Sequence, residues 1–229
     1  MARAKRARSA QAEGYAAGEL IAILGEEYGR VDARPSRDPM TELALTLLSQ
    51  NTSDSNSGRA FIRLLNEFPD YESLLDADVK RIEKAIQPGG LAPTKAPRMQ
   101  EMLREVWNRR GSFDLTFLQE MSLDEARAWL RSLPGVGPKT AACVLLFALG
   151  MPALPVDTHV HRVAKRLGLV PEKSTPEQAF ELLEPMLQPD EVYPFHIQLI
   201  KHGRRTCSAR KPKCGECPLA AECPAEPSF

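Results

Sequence analysis

The sequence predicts an all-α fold, and three observations carry that prediction. Apolar residues recur at spacings of three and four through most of the 229 residues. The segments they mark are separated by proline, glycine or capping residues. No stretch alternates apolar and polar residues as a half-buried strand requires, and no internal repeat is visible.

The elements follow in order. The first ten residues carry Arg3, Lys5, Arg6 and Arg8 without an acid, and 1–14 is expected to be a basic flexible tail. Between 19 and 28, Leu20, Ile21, Ile23 and Leu24 line one side of a short helix that ends near Gly29. Asp38 as N-cap and Pro39 at the first helical position open the next helix, and Leu43, Leu47 and Leu48 continue its period. It runs into a polar cluster, Ser49-Gln50-Asn51-Thr52-Ser53-Asp54, after which Phe61, Leu64, Leu65 and Phe68 resume the period. Further helices fit 71–76, 77–86, 95–110, 115–120 and 123–133. Gln87-Pro88-Gly89-Gly90-Leu91-Ala92-Pro93 reads as a rigid loop exposing one leucine. Beyond residue 140, helices fit 141–149, 158–167, 179–187 and about 191–203, the third opened by a capping box at Thr175 and Gln178. About ten helices result. Trp107 and Trp129 fall at helical positions among apolar neighbours and are expected to pack in the core.

The length suits one large or two modest domains. Thirty basic residues balance thirty acidic ones, so binding to nucleic acid cannot be argued from the total charge. Its distribution is more informative, because Lys201 to Lys213 holds six basic residues and no acid. The basic start is followed by no apolar run of a secretory signal, and the longest uncharged run, 140–156, is broken by Pro152 and Pro155 and is too short for a bilayer. No membrane association is expected, and the location is expected to be cytoplasmic or chromosome-associated.

Three constellations can carry chemistry. The first is Leu133-Pro134-Gly135-Val136-Gly137-Pro138-Lys139-Thr140. Two glycines around one small apolar residue make a tight turn whose N–H groups can face an anion. Lys139 follows in the first turn of the next helix, where the positive end of the helix dipole favours a neutral amine. A lysine after such a turn is by itself an ordinary surface residue. The second is Val156-Asp157-Thr158-His159-Val160. Asp157 reads as an N-cap, and a carboxylate held by backbone N–H groups stays ionised, so capping and proton transfer are compatible roles. The third is Cys207, Cys214, Cys217 and Cys223, spaced C-x6-C-x2-C-x5-C. Four thiolates within 17 residues suit one metal centre. Spacing leaves zinc and a [4Fe–4S] cluster equally open, with disulfides a weaker reading. Cys143, alone in an apolar helix, reads as a core residue. The single histidines read as hydrogen-bonded packing residues.

Taken together, the hairpin, an aspartate 18 residues after its lysine, and the cysteine loop with His202-Gly203-Arg204 and Ala209-Arg210-Lys211-Pro212 resemble the endonuclease III branch of the helix-hairpin-helix (HhH-GPD) DNA glycosylase superfamily. The resemblance covers nearly the whole chain after the basic tail. It implies two helical lobes with DNA bound across the cleft: a six-helix barrel over 38–152 ending in the hairpin, and an iron–sulfur domain from 15–37 and 153–229. It implies a [4Fe–4S] cluster on Cys207, Cys214, Cys217 and Cys223, structural or concerned with DNA binding, in a loop offering Arg210, Lys211 and Lys213 to phosphates.

The implied activity is that of a bifunctional DNA glycosylase/AP lyase of base excision repair, acting as a monomer on double-stranded DNA with damaged bases or abasic sites. Gly135, Val136 and Gly137 would grip phosphate, Gln50 and Asn51 would fill the space of an extruded base, and Leu91 would wedge into the opposite strand. Lys139 would attack C1′ with the help of Asp157, leading to β-elimination. Two positions depart from the family pattern. Pro138 stands where a basic residue is common, and Ala92-Pro93 replace a tyrosine and an asparagine after the leucine. Oxidised pyrimidines are the expected lesions, with uracil, mismatched thymine and abasic sites as competitors. The alternatives are an AP lyase with little glycosylase activity and a non-enzymatic DNA-binding module. An iron–sulfur electron carrier would need neither the hairpin nor the lysine and aspartate.

Overall fold

The computed structural model describes residues 15–32 and 37–225; the basic tail with Arg3, Lys5, Arg6 and Arg8 lies outside the described residues. Among the described residues there is no strand. The helices are α1 (Ala17–Tyr28), α2 (Pro39–Ser49), α3 (Asp54–Glu67), α4 (Glu72–Leu75), α5 (Val79–Ile86), α6 (Ala92–Arg110), α7 (Leu123–Arg131), α8 (Pro138–Phe147), α9 (Thr158–Arg166), α10 (Pro176–Leu183) and α11 (Val192–Arg205), with short 3₁₀ turns between some of them. Contacts divide the chain into two units. One takes Asp32–Pro155 with Gln188–Tyr193; the other takes Val156–Leu187 with the described parts of Met1–Val31 and Pro194–Phe229.

In the first unit six helices of eight or more residues, α2, α3, α5, α6, α7 and α8, enclose a single core. Leu43, Leu47, Leu64, Ile82, Met99, Leu103, Leu130 and Leu145 are each at most 1% exposed. Burying a side chain of this size contributes roughly 1.5–3 kcal/mol. α8 is buried from Thr140 through Leu146, as its all-round apolar sequence requires, and packs on α2 and α7. The glycine hairpin is thereby anchored to a core helix at its C-terminal end. Asp38 caps α2 by accepting the Thr41 N–H at 2.9 Å, with Pro39 at the first helical position. Ser122 and Glu125 form a capping box on α7.

Several elements differ from the sequence expectation. α6 starts at Ala92, three residues before the expected Lys95, because Pro93 lies in the first helical turn, where a missing N–H costs nothing. Residues 71–76 yield only the single turn of α4, and 115–120 become the 3₁₀ turn Thr116–Glu120. Leu65 is 43% exposed at the margin of the α3 stripe. Trp129 packs against the core, whereas Trp107, in the last turns of α6, is 37% exposed and rests against the Phe113 ring at 5.5 Å. Cys143 is buried in α8, as a core residue should be.

In the second unit α1, α9, α10 and the part of α11 from Pro194 bury Leu20, Leu24, Val160, Val163, Leu183, Phe195 and Leu199. The box at Thr175 and Gln178 is formed by both reciprocal bonds, at 3.2 and 2.9 Å. The cysteine loop follows α11. Among the described residues, no helix is long and apolar enough to cross a membrane.

Candidate functional site

The hairpin turns at Gly135, whose φ of +76° lies in the left-handed region that glycine accepts without strain. The N–H of Val136 donates to Leu133 O at 3.2 Å and closes the turn, so it is not free for an anion. Gly137 is the N-cap of α8 and supplies no side-chain cap, leaving the start of the helix open. Pro138 takes the first helical position, so its missing N–H removes no helical bond. Lys139 follows, exposed, in the first turn.

Gln50 reaches this hairpin across 85 residues of sequence. Its Nε2 donates to Gly135 O at 3.2 Å and to Thr140 Oγ1 at 3.4 Å. Asn51, next in the chain, is exposed with φ +54°, and Leu91 is 54% exposed with φ +52°. These two are the only non-glycine residues of positive φ among the described residues. A left-handed backbone is rare for a leucine, and it aims this side chain outward at the start of α6. The first unit thus carries Gln50, Asn51, Leu91, the hairpin and Lys139.

Asp157 belongs to the second unit and caps α9. Its Oδ1 accepts the N–H groups of His159 and Val160 at 2.8 and 2.7 Å. Both bonds end on one oxygen, so Oδ2 takes no part in the cap. The expected compatibility of capping with a second role therefore has a geometric basis.

The thiols of Cys207, Cys214, Cys217 and Cys223 line one pocket, with no disulfide among them. Four thiols around one pocket are a donor set that zinc and a [4Fe–4S] cluster both accept. The surroundings fit as well. Arg166 Nη1 lies 3.2 Å from Cys207 Sγ and 2.8 Å from Ser208 O, so a guanidinium steadies both the sulfur and its loop. Burial pushes the Cys217 thiol up, so a thiolate there without a compensating charge is disfavoured.

His202 stands against Cys217, Nε2 to Sγ 3.8 Å, and burial lowers its pKa to about 4, so it is neutral at physiological pH. The Tyr28 hydroxyl holds the other nitrogen at 3.0 Å and Thr206 Oγ1 at 2.7 Å. Arg210, Lys211 and Lys213 are exposed on the same loop. Sequence reasoning missed Arg166, Tyr28 and the docking of Gln50, since each depends on a partner at least 40 residues away.

A model of the HhH-GPD superfamily base excision DNA repair proteins matches residues 44–189. The chain belongs to that superfamily. A second model, the iron–sulfur binding domain of endonuclease III, matches 207–223, the segment from the first to the last of the four cysteines. Endonuclease III of Synechocystis sp. is 36% identical over 208 residues, covering 90% of each chain. Endonuclease III of Thermotoga maritima is 36% identical over 186 residues, 81% of this chain and 83% of that one.

An Arabidopsis thaliana relative provisionally named a DNA glycosylase is 41% identical over 170 residues, 74% of this chain. The chain spans 58% of that relative's length, and 12% of the Arabidopsis DNA glycosylase/AP lyase ROS1. A trapped covalent endonuclease III–DNA intermediate superposes with a TM-score of 0.79 at 26% identity, covering 91% of this chain and 94% of that one. A non-covalent endonuclease III–DNA complex gives the same score at 27% identity and the same coverage. This HhH-GPD protein is therefore of the endonuclease III branch, and an iron–sulfur cluster is its cofactor. The iron–sulfur cluster that the family resemblance implied over zinc is borne out by the match to the iron–sulfur binding domain and by the endonuclease III relatives.

Proposed function

We propose that this chain is a bifunctional DNA glycosylase/AP lyase of base excision repair. The observation that carries the proposal is Lys139, an exposed amine in the first turn of α8 directly behind the glycine turn, at a helix start that no side chain caps. A base still stacked in a duplex hides its sugar carbon, so the damaged nucleotide must first leave the helix. Gly135 and Gly137 bind backbone phosphate without reading sequence, with Val136 shaping the turn between them. Gln50 and Asn51 take the vacated space and Leu91 enters the opposite strand.

The Lys139 amine then attacks C1′, the N-glycosidic bond breaks, and the base departs with a proton. Asp157 accepts the proton of the attacking amine and steadies the positive charge that develops on the sugar. The C1′–O4′ bond then opens, its oxygen taking a proton, and the open-chain iminium makes the C2′ proton acidic; loss of that proton expels the 3′ phosphate from C3′ and cuts the strand. Cys207, Cys214, Cys217 and Cys223 would hold the iron–sulfur cluster, which orders the loop that presents Arg210, Lys211 and Lys213 to phosphates. Oxidised pyrimidines on double-stranded DNA are the proposed substrates, with the chain acting as a monomer on the chromosome.

Two measurements test the proposal. Duplexes carrying oxidised pyrimidines, uracil, mismatched thymine or an abasic site, incubated with the protein and borohydride, should each report excision and covalent trapping. The expected result is fastest excision of oxidised pyrimidines, with a trapped adduct. An adduct on abasic sites alone would reduce the activity to that of a lyase, and none on any duplex would remove the enzyme reading. The purified protein should also contain about four iron and four sulfide per chain, the content of a [4Fe–4S] cluster. Cys217→Ser should lose iron; stoichiometric zinc in the wild type would contradict the assignment.

A further inference from the structure

Lys95 has no part in the chemistry above, yet its side chain is buried, 4% exposed, between the two elements proposed to enter DNA. Its Nζ donates to Leu48 O at 2.6 Å and to Gly89 O at 2.9 Å. Leu48 lies three residues before Asn51, and Gly89 lies two before Leu91. The lysine's own backbone N–H donates to Leu91 O at 2.9 Å, closing the first turn of α6 around the exposed leucine. One residue therefore touches both segments that carry a non-glycine residue in the left-handed region.

An ammonium is a costly way to fill space in a protein interior, because burial disfavours its charged form, here as elsewhere. An apolar side chain of similar length would occupy the same volume. It would also leave both carbonyls without the donor they now share. Gly89 is held closely from the other side, since a Cβ there would lie 3.1 Å from the Ala60 Cβ on α3. Gln50 in turn is fastened to the hairpin through Gly135 O and Thr140 Oγ1. Hydrogen bonds, together with the two-residue backbone step from Leu48 to Gln50, link the hairpin, the Gln50 turn, Lys95 and the Leu91 loop.

We propose that Lys95 is a positioning residue: by bridging Leu48 O and Gly89 O it fixes the spacing of the Gln50–Asn51 turn and the Leu91 tip, so that both enter the duplex as one rigid fork. The inference rests on the reading that these residues enter DNA. Its chemistry is a carbonyl bridge, so a replacement that keeps volume without donors separates bridging from filling.

The test uses a duplex with a stable abasic-site analogue and 2-aminopurine opposite it, whose fluorescence rises on unstacking. The proteins are the wild type, Lys95→Met, Lys95→Gln, Leu91→Ala and the Lys95→Met/Leu91→Ala double variant. The wild type should give a several-fold rise and Leu91→Ala little of it. Lys95→Met should lose most of the rise while keeping iron content, far-ultraviolet circular dichroism and affinity for undamaged duplex. Lys95→Gln, which keeps a donor but is too short to reach both carbonyls, should fall between. The double variant should be no worse than Leu91→Ala, since both changes remove one action.

A full rise with folded Lys95→Met overturns the inference, as do losses that multiply in the double variant. If Lys95→Met does not fold, Lys95→Gln decides by the same criterion. No rise with the wild type removes the insertion reading, and the inference falls with it.

Discussion

Lys139→Gln protein, incubated with an abasic-site duplex and borohydride, should give no covalent adduct where the wild type gives one. Lys139 is exposed in the first turn of α8, and the buried part of that helix begins one residue later at Thr140. A neutral side chain of similar length there should change stability by no more than about 0.5 kcal/mol. The hairpin upstream and the helix downstream keep their anchoring, so DNA affinity should change only by the loss of one charge. Turnover should fall roughly 10³-fold or more, because glutamine cannot form the iminium on which strand cleavage depends. Gel analysis of trapped product measures the first effect, and single-turnover excision the second. An adduct of undiminished yield would assign the nucleophile to another amine.

Asp157→Asn separates two functions of one carboxylate. Asparagine caps helices about as well as aspartate, and its carbonyl oxygen can accept the bonds from His159 and Val160 that Oδ1 accepts now. Thermal unfolding should therefore shift little, whereas Asp157→Ala should lose about 1 kcal/mol with the cap. Excision should nevertheless slow by about 10²–10⁴-fold in Asp157→Asn, since an amide neither accepts the proton nor answers the positive sugar. Binding to an abasic-analogue duplex should remain close to that of the wild type. Equal excision rates in the wild type and Asp157→Asn would leave the residue as a cap alone.

The sequence made the parts of the fold legible wherever the signal was local. Asp38-Pro39 and Thr175 with Gln178 opened helices where the pattern placed them, because capping depends on neighbours within four residues. The hairpin was equally plain from Gly135 and Gly137. α6 was read as starting late, since Pro93 punctuates a loop and starts a helix with the same letter. Lys95 was invisible as an interior residue: its partners are main-chain carbonyls, which carry no residue-type signature, and one of them is 47 positions away. Arg166 beside Cys207 was hidden by distance along the chain, its sulfur partner lying 41 positions away. The cysteines announced a centre by their spacing, but the choice between metals came from family resemblance and then from the match to the iron–sulfur binding domain of endonuclease III.

The left-handed backbone at Asn51 and Leu91 sets a trap for anyone who would make this protein hardier. Design rules that relieve unfavourable dihedral angles would convert both positions to glycine and gain up to about 1–2 kcal/mol at each. The resulting molecule would withstand heat better and have no side chains at the two points proposed to enter the duplex. Robustness and usefulness are opposed at these two residues, so an enrichment for thermal survival alone would select against the very property that a screen for repair would keep.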